Sequence, residues 1–247
     1  MRLRLLYYST GFFLSFLMPQ NPAGTAPLIG KFEATYQSSK TLSASFLERY
    51  FENGRLVRSD AGVAYFAKPG KMRWEYLSPE QNLYIIDGKW SWFYVPVDHT
   101  VTKIPAKQSS DARKPFALLT GQMKVSKVCR SVEFDRSGVL EKVRGEVLRC
   151  NFRGDNGESD SAAEHSVNSA AHQNSFALFE LDPSNGQLLR VRFVEPGGVQ
   201  VEFQFTGWAF NPPLDAAKFR FQSQKGVAIV NGDLGAAANS EAATPAH

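Results

Sequence analysis

From Leu42 onward the chain alternates apolar and polar residues with a period of two, and it returns to that rhythm for most of its length. In LSASFLERYF (42–51), Ala44, Phe46, Glu48 and Tyr50 fall on one side, and Ser45, Leu47, Arg49 and Phe51 on the other. In FAKPGKMRWEY (66–76), a Pro-Gly turn separates two such runs. After the turn, Met72, Trp74 and Tyr76 share one face while Arg73 and Glu75 share the other. Period-two alternation places successive side chains on opposite faces of a strand, so the sequence predicts sheet rather than helix. Asn53-Gly54 and Asp87-Gly88 punctuate the runs as hairpin turns. Strands are expected at 42–51, 60–67, 71–77, 82–87, 89–95, 100–104, about 131–135, 146–152, 176–182, 188–194 and 199–210. A helical turn at 215–221 is expected to lead into a last strand. The pattern gives about ten or eleven strands with no βαβ alternation. Two helical segments interrupt it. Residues 27–39 carry Leu28, Ile29, Phe32 and Tyr36 on one stripe behind Pro27, and 115–121 is a short apolar segment bounded by Pro and Gly. The fold class that follows is mainly β with α: an incomplete, unclosed antiparallel β-barrel covered by short helices.

The N-terminus reads as an address rather than as part of that fold. Met1-Arg2-Leu3-Arg4 is positive, Leu5–Met18 is an apolar run of 14 residues, and Pro19–Ala26 is small and polar. A membrane-spanning helix needs roughly 20 apolar residues, so 1–26 is expected to be a signal peptide cut after Ala26, with an uncleaved membrane anchor as the alternative. In a Gram-negative host, export places the mature chain in the oxidising periplasm. The domain proper is then 27–232. Residues 153–174 and 233–247 are so poor in large apolar side chains that a disordered insert and a disordered tail are expected there. The formal charge of +4 includes Arg2 and Arg4. Without them 26 basic side chains face 24 acidic ones, a net of +2, which excludes nucleic acid as a charge-selected partner. Cys129 and Cys150 are an even pair in an exported chain and permit one disulfide.

Signs of catalysis are sparse. The four histidines are His99, His165, His172 and His247, and the last three fall in the expected insert and tail. No metal-ligand spacing, phosphate-binding glycine loop or nucleophile elbow is present, so neither a metal nor a cofactor is expected. Glu75 and Asp87 form the best carboxylate pair for acid–base work. Asp87, however, belongs to a hairpin turn, where Asp serves the backbone, and Glu75 points away from the aromatic face. The stronger signal is aromatic. Phe, Tyr and Trp make up 13% of the chain, and the 90–95 strand is apolar on both faces: Trp90, Trp92 and Tyr94 oppose Phe93 and Val95. Such faces build an ordinary core or line an apolar cavity, and the residues alone leave both open.

Five segments, taken in order, resemble the periplasmic outer-membrane lipoprotein carrier family, LolA. They are Leu42–Phe46 after the first helix; Lys68–Tyr76 (KPGKMRWEY); Asp87-Gly88-Lys89 followed by Trp92-Phe93-Tyr94 and Pro96; Pro115-Phe116 with Leu118-Leu119; and Asp215–Phe221 (DAAKFRF) followed by Gly226-Val227. The resemblance implies a carrier without enzymatic activity, metal or cofactor. Lipoprotein acyl chains would enter an apolar cavity between barrel and helices, lined by Phe46, Met72, Trp74, Trp92, Phe116 and Leu119. Cargo would come from an inner-membrane ABC lipoprotein-releasing transporter and pass to an outer-membrane lipoprotein receptor, with the carrier a monomer. Lys68 stands where family members carry an Arg that latches the lid, and it is expected to reach carbonyls near Leu119 and Thr120. Met72 stands where they carry a Phe tied to transfer. The alternatives are a carrier of another amphiphile, such as a polyprenyl lipid or glycolipid, and an exported hydrolase using Glu75 and Asp87. The lipidated receptor of the same superfamily is excluded because no cysteine lies near the cleavage region.

Overall fold

The structure, a computed structural model, describes residues 24–106, 116, 118–120, 123–153, 175–223 and 225–232. The expectations for the signal peptide upstream of Gly24, for the insert beyond Arg153 and for the 233–247 tail lie outside these residues. One helix, α1 (Ala26–Gln37), precedes β1 (Thr41–Glu52), β2 (Arg55–Ala67), β3 (Lys71–Ser78), β4 (Leu83–Ile86), β5 (Trp90–Val95) and β6 (Thr100–Pro105). A single helical turn, α2 (Val125–Val128), then leads into β7 (Cys129–Phe134), β8 (Glu146–Phe152), β9 (Phe176–Leu181), β10 (Leu188–Val194) and β11 (Val199–Phe210). A 3-10 helix, Ala216–Phe219, and β12 (Ala228–Asn231) end the order.

The described strands form one 12-stranded sheet in the order β12-β6-β5-β4-β3-β2-β1-β11-β10-β9-β8-β7. Neighbours pair antiparallel except β12, which runs parallel to β6. The two ends of the order, β12 and β7, are not paired to each other, so the barrel is unclosed. Two expectations shift. β2 begins at Arg55 rather than at residue 60, because Arg55 and Leu56 already pair with Glu52 and Phe51 directly after the Asn53-Gly54 turn. The last strand adds to the sheet parallel, because the chain crosses the outside of the barrel before reaching β6. Of the expected short helix at 115–121, the described residues Phe116 and Leu118 are 3-10 helical and Leu119–Thr120 form a turn, with the Leu119 N–H donating to the Phe116 carbonyl at 2.9 Å.

Register sorts the side chains cleanly. Leu42, Ala44 and Phe46 of β1, Ala64 and Phe66 of β2, Met72, Trp74 and Tyr76 of β3, and Phe203 and Phe205 of β11 all turn inward into one buried cluster. Volume is balanced across strands. Trp74 lies opposite Ala64, which lies opposite Ala44, so two small residues make room for the indole. Gly62 is needed for the same reason: a Cβ there would sit 2.0 Å from the Glu75 carbonyl oxygen and 2.9 Å from the Phe46 ring. Helix α1 covers the open side with Leu28, Phe32 and Tyr36, a stripe at i, i+4 and i+8.

Candidate functional site

The inner face is an aromatic box centred on Trp74. Its ring centroid lies 4.9 Å from Phe46, 5.7 Å from Phe66, 5.3 Å from Phe203 and 5.1 Å from Phe116. The first three belong to the sheet. Phe116 comes from the separate turn below α1 and reaches inward to touch Phe193, Phe203 and Phe205 as well, at 5.9, 5.1 and 5.7 Å. Leu118 and Leu119 of that turn are buried in the same cluster. The residues Phe46, Met72, Trp74, Phe116 and Leu119, singled out from sequence, therefore come together. Space in this region is nearly filled. Under α1, a void of about 20 Å³ is bounded by Phe32, Leu118, Val125, Leu148, Phe179 and Leu181.

Trp92 does not join them, and the sequence expectation for it is corrected. Tyr84 turns inward, so its neighbour Ile85 turns outward, and Ile85 pairs with Trp92. Trp90, Trp92 and Tyr94 consequently occupy the outer face, while Phe93 packs against the inner cluster. The double-sided apolar character of β5 has a structural cause. The C-terminal segment folds back over the outside, stacking Phe221 on Trp92 at 5.2 Å and placing it 5.8 Å from Tyr94. Lys103 lies over Trp90 and Trp92, at 4.1 and 4.9 Å from the ring centroids.

Lys68 meets α1 rather than the expected Leu119 and Thr120 carbonyls. Its ammonium donates to the carbonyl of Gln37, the last residue of the helix. Terminal carbonyls of a helix lack intrahelical partners and attract cations, which accounts for the choice. Elsewhere α1 is held more firmly. The Leu188 N–H donates to the Tyr36 hydroxyl at 2.9 Å, and the Thr35 hydroxyl to the Asn185 carbonyl at 2.6 Å. Lys31 donates to the Pro183 carbonyl at 2.8 Å, and the Val125 N–H to Glu33 Oε1 at 2.8 Å. Gly186, at φ +75°, lets the β9–β10 turn approach the helix: a Cβ there would lie 2.6 Å from the Lys31 carbonyl carbon. Burial pushes the Tyr36 phenol well above its ordinary range, partly offset by the Leu188 N–H it accepts. Cys129 and Cys150 are joined by a disulfide at the far end of the sheet.

The two carboxylates weighed for catalysis are tied down. Burial raises the Glu75 carboxyl, but Arg73, donating at 2.6 Å, and Lys218, at 3.2 Å, more than offset it and hold it below the usual range. Asp87 is likewise raised by burial and lowered further by the N–H groups of Trp90 and Lys89, the Trp92 indole and the Lys103 charge. Both are ionised at neutral pH and satisfied by donors, an arrangement that serves structure and not proton transfer. Among the described residues no group of His, Cys, Asp and Glu is placed to hold a metal.

Sequence reasoning missed a buried ionic cluster on the outer face of β9–β11. Glu180 and Glu202 are fully buried. Arg190 donates to Glu180 at 2.7 Å, Arg192 to Glu202 at 2.7 Å, and Arg49 also binds Glu202. Arg190 and Arg192 go on to donate to the carbonyls of Glu141 and Val139, fastening the β7–β8 connection over the sheet. The signal was present as alternate arginines in LLRVRFV and as alternate polar residues, Glu202 among them, in VQVEFQF.

The family of the outer membrane lipoprotein carrier protein LolA matches residues 37–143. An outer-membrane lipoprotein carrier protein of Chromobacterium violaceum is 27% identical over 84% of this chain and 89% of its own length. One from Nitrosospira multiformis is 25% identical over 89% of this chain and 94% of its own length. Among solved structures, an uncharacterized conserved protein from Thermus thermophilus aligns over 84% of this chain and 99% of its own, with 14% identity and a TM-score of 0.49.

Proposed function

We propose that the chain is a carrier of the LolA type, a periplasmic protein that shields the acyl chains of lipoproteins between the inner and the outer membrane. The observation that carries this reading is the position of Phe116. The aromatic box of the sheet is completed by a ring from a separate turn, packed among Trp74, Phe193, Phe203 and Phe205. A core closed by a detachable piece opens without breaking the sheet. In this reading acyl chains take the place of Phe116, Leu118 and Leu119, and the walls that receive them are Phe46, Met72, Trp74, Phe203 and Phe205. Exchanging one apolar filling for another keeps the box dry in both states. Each methylene removed from water contributes about 0.8 kcal/mol, so a 16-carbon chain carries roughly 12 kcal/mol that the carrier must match. The box offers broad aromatic surface, which suits flexible chains of varied length.

Lys68 and the hydrogen bonds of α1 act as the closure in this account. Lys68 joins the strand end to the helix end, so its contact is lost when the helix tilts away. The mature chain begins after Ala26, residues 27–232 form the carrier domain, and the 153–174 insert and the tail lie outside its working parts. An inner-membrane ABC transporter loads the cargo and an outer-membrane receptor takes it. No chemical step is required, and the carrier acts as a monomer. The test is a release assay: purified 27–247 is added to proteoliposomes that hold the releasing transporter and a lipoprotein. A soluble carrier–lipoprotein complex is the expected product. Lipoprotein that stays in the membrane, with a small lipid found in the protein by mass spectrometry instead, would replace this reading with a carrier of another amphiphile.

A further inference from the structure

A cavity bounded by the described residues lies outside the sheet. It occupies about 480 Å³ between the outward face of β3–β5 and the returning segment 215–222, a volume typical of small-molecule sites, which run roughly from 300 to 1,000 Å³. Its apolar wall is Leu83, Tyr94 and Phe221, and Phe221 is fixed by its stack on Trp92, 14° from parallel. Its rim is cationic, formed by Arg73, Lys218 and Arg220. The lining carboxylate, Asp215, is engaged by the backbone, since Oδ1 accepts the Ala217 N–H at 2.8 Å. Glu75 behind the rim offsets one positive charge, with Arg73 Nε and Lys218 Nζ converging on the same oxygen. Arg73 Nη1 donates to the Lys218 carbonyl at 3.0 Å, which leaves Nη2 for another acceptor. Arg220 is exposed and forms no ion pair among the described residues.

We propose that this cleft binds a single-chain amphiphile with an anionic head, a carboxylate or a phosphate monoester. The head takes Arg220 and the remaining Arg73 nitrogen, and the chain lies along Leu83, Tyr94 and Phe221. Guanidinium groups suit such heads because they offer paired donors in one plane. The site is separate from the aromatic box, since the sheet itself stands between them, and it does not rest on the carrier reading. It also has a mechanical consequence. The segment that roofs it continues through Gly226, at φ +89°, into β12, four exposed residues attached to the β6 edge. A ligand that fixes 215–222 therefore steadies β12 on that edge.

The experiment uses the chain from residue 27 to 247 with three probes: dodecanoate, dodecyl phosphate and dodecyltrimethylammonium. Affinity is read by calorimetry and location by amide hydrogen exchange. Both anionic probes are expected to bind and the cationic one to fail. Protection should appear at 216–222 and at Ala228–Asn231, regions that filling the interior would not touch. Arg220→Glu should weaken both anionic probes at least about tenfold while leaving the melting temperature unchanged, because Arg220 is exposed. A preference for one anion identifies the head and leaves the site standing. Equal binding of the cationic probe, unchanged affinity in Arg220→Glu, or protection confined to the surroundings of Trp74 and Phe116 would each overturn the proposal. The last of these would still leave the carrier reading intact.

Discussion

The outer face of the sheet is covered twice, by different physics. Over β9–β11 the cover is ionic: two fully buried glutamates hold three arginines, and two of these arginines pin the β7–β8 connection through its carbonyls. Over β3–β5 the cover is aromatic: Phe221 stacks on Trp92, Phe219 is buried, and half-exposed Arg73, Glu75 and Lys218 tie the segment down. Buried ions leave little tolerance, because a lost partner strands a charge in a medium that cannot solvate it. A half-exposed cover tolerates loss, because water replaces the partner. The first half is thus a fixed wall, and the second leaves a cleft and an adjustable edge.

Glu202→Ala should break the contrast most sharply. It leaves Arg49, Arg192 and the edge of Arg190 uncompensated and is expected to cost about 3–5 kcal/mol in urea unfolding. Glu75→Gln, its counterpart on the other half, should cost less than about 1 kcal/mol after solvent screening. Near-equal losses would show that the two covers do not differ in kind. Next in size is the disulfide. Closing a loop with a sequence separation of 21, it should contribute about 2–4 kcal/mol, read as the difference between oxidised protein and the Cys129→Ser, Cys150→Ser double variant.

Much of this was legible in the sequence, and the limits are instructive. Alternation located the inner face of β1–β3 because one-sided burial repeats every two residues: Phe46, Met72 and Trp74 followed directly. Trp92 was assigned to the wrong face because β5 is apolar on both sides, so alternation carries no information about which side is inside. That decision is made by pairing with Ile85 and by a segment more than a hundred residues later. Lys68 is expected at carbonyls near Leu119 and Thr120, yet it donates to that of Gln37. Choice among helix ends is a matter of distance in space, which spacing in sequence does not record. The Glu202 cluster was missed because charges on alternate positions also describe a solvated face, and only the overlying connection makes them buried.

Smaller effects sharpen the picture through pH. Glu75 and Asp87 are held below their ordinary values, so the unfolded chain binds more protons than the folded one in acid. Their contribution is present above the ordinary carboxylate value of about 4 and is lost as pH falls below it. Tyr36 is raised, so its contribution is complete below about pH 10 and is lost as pH climbs beyond. Melting temperature should therefore be flat near neutrality and fall at both extremes. Tyr36→Phe should reduce the alkaline fall, and Glu75→Gln should slightly reduce the acid one.

The inward and outward tryptophans offer the most direct test of the carrier account. Single-tryptophan variants retaining only Trp74 or only Trp92 are loaded with a diacylated, uncharged lipopeptide bearing a nitroxide on one acyl chain, and fluorescence is read. The account predicts strong quenching of Trp74, which lies 5.1 Å from the displaced Phe116, and little quenching of Trp92 behind the sheet. Quenching of Trp92 with Trp74 unaffected would contradict it.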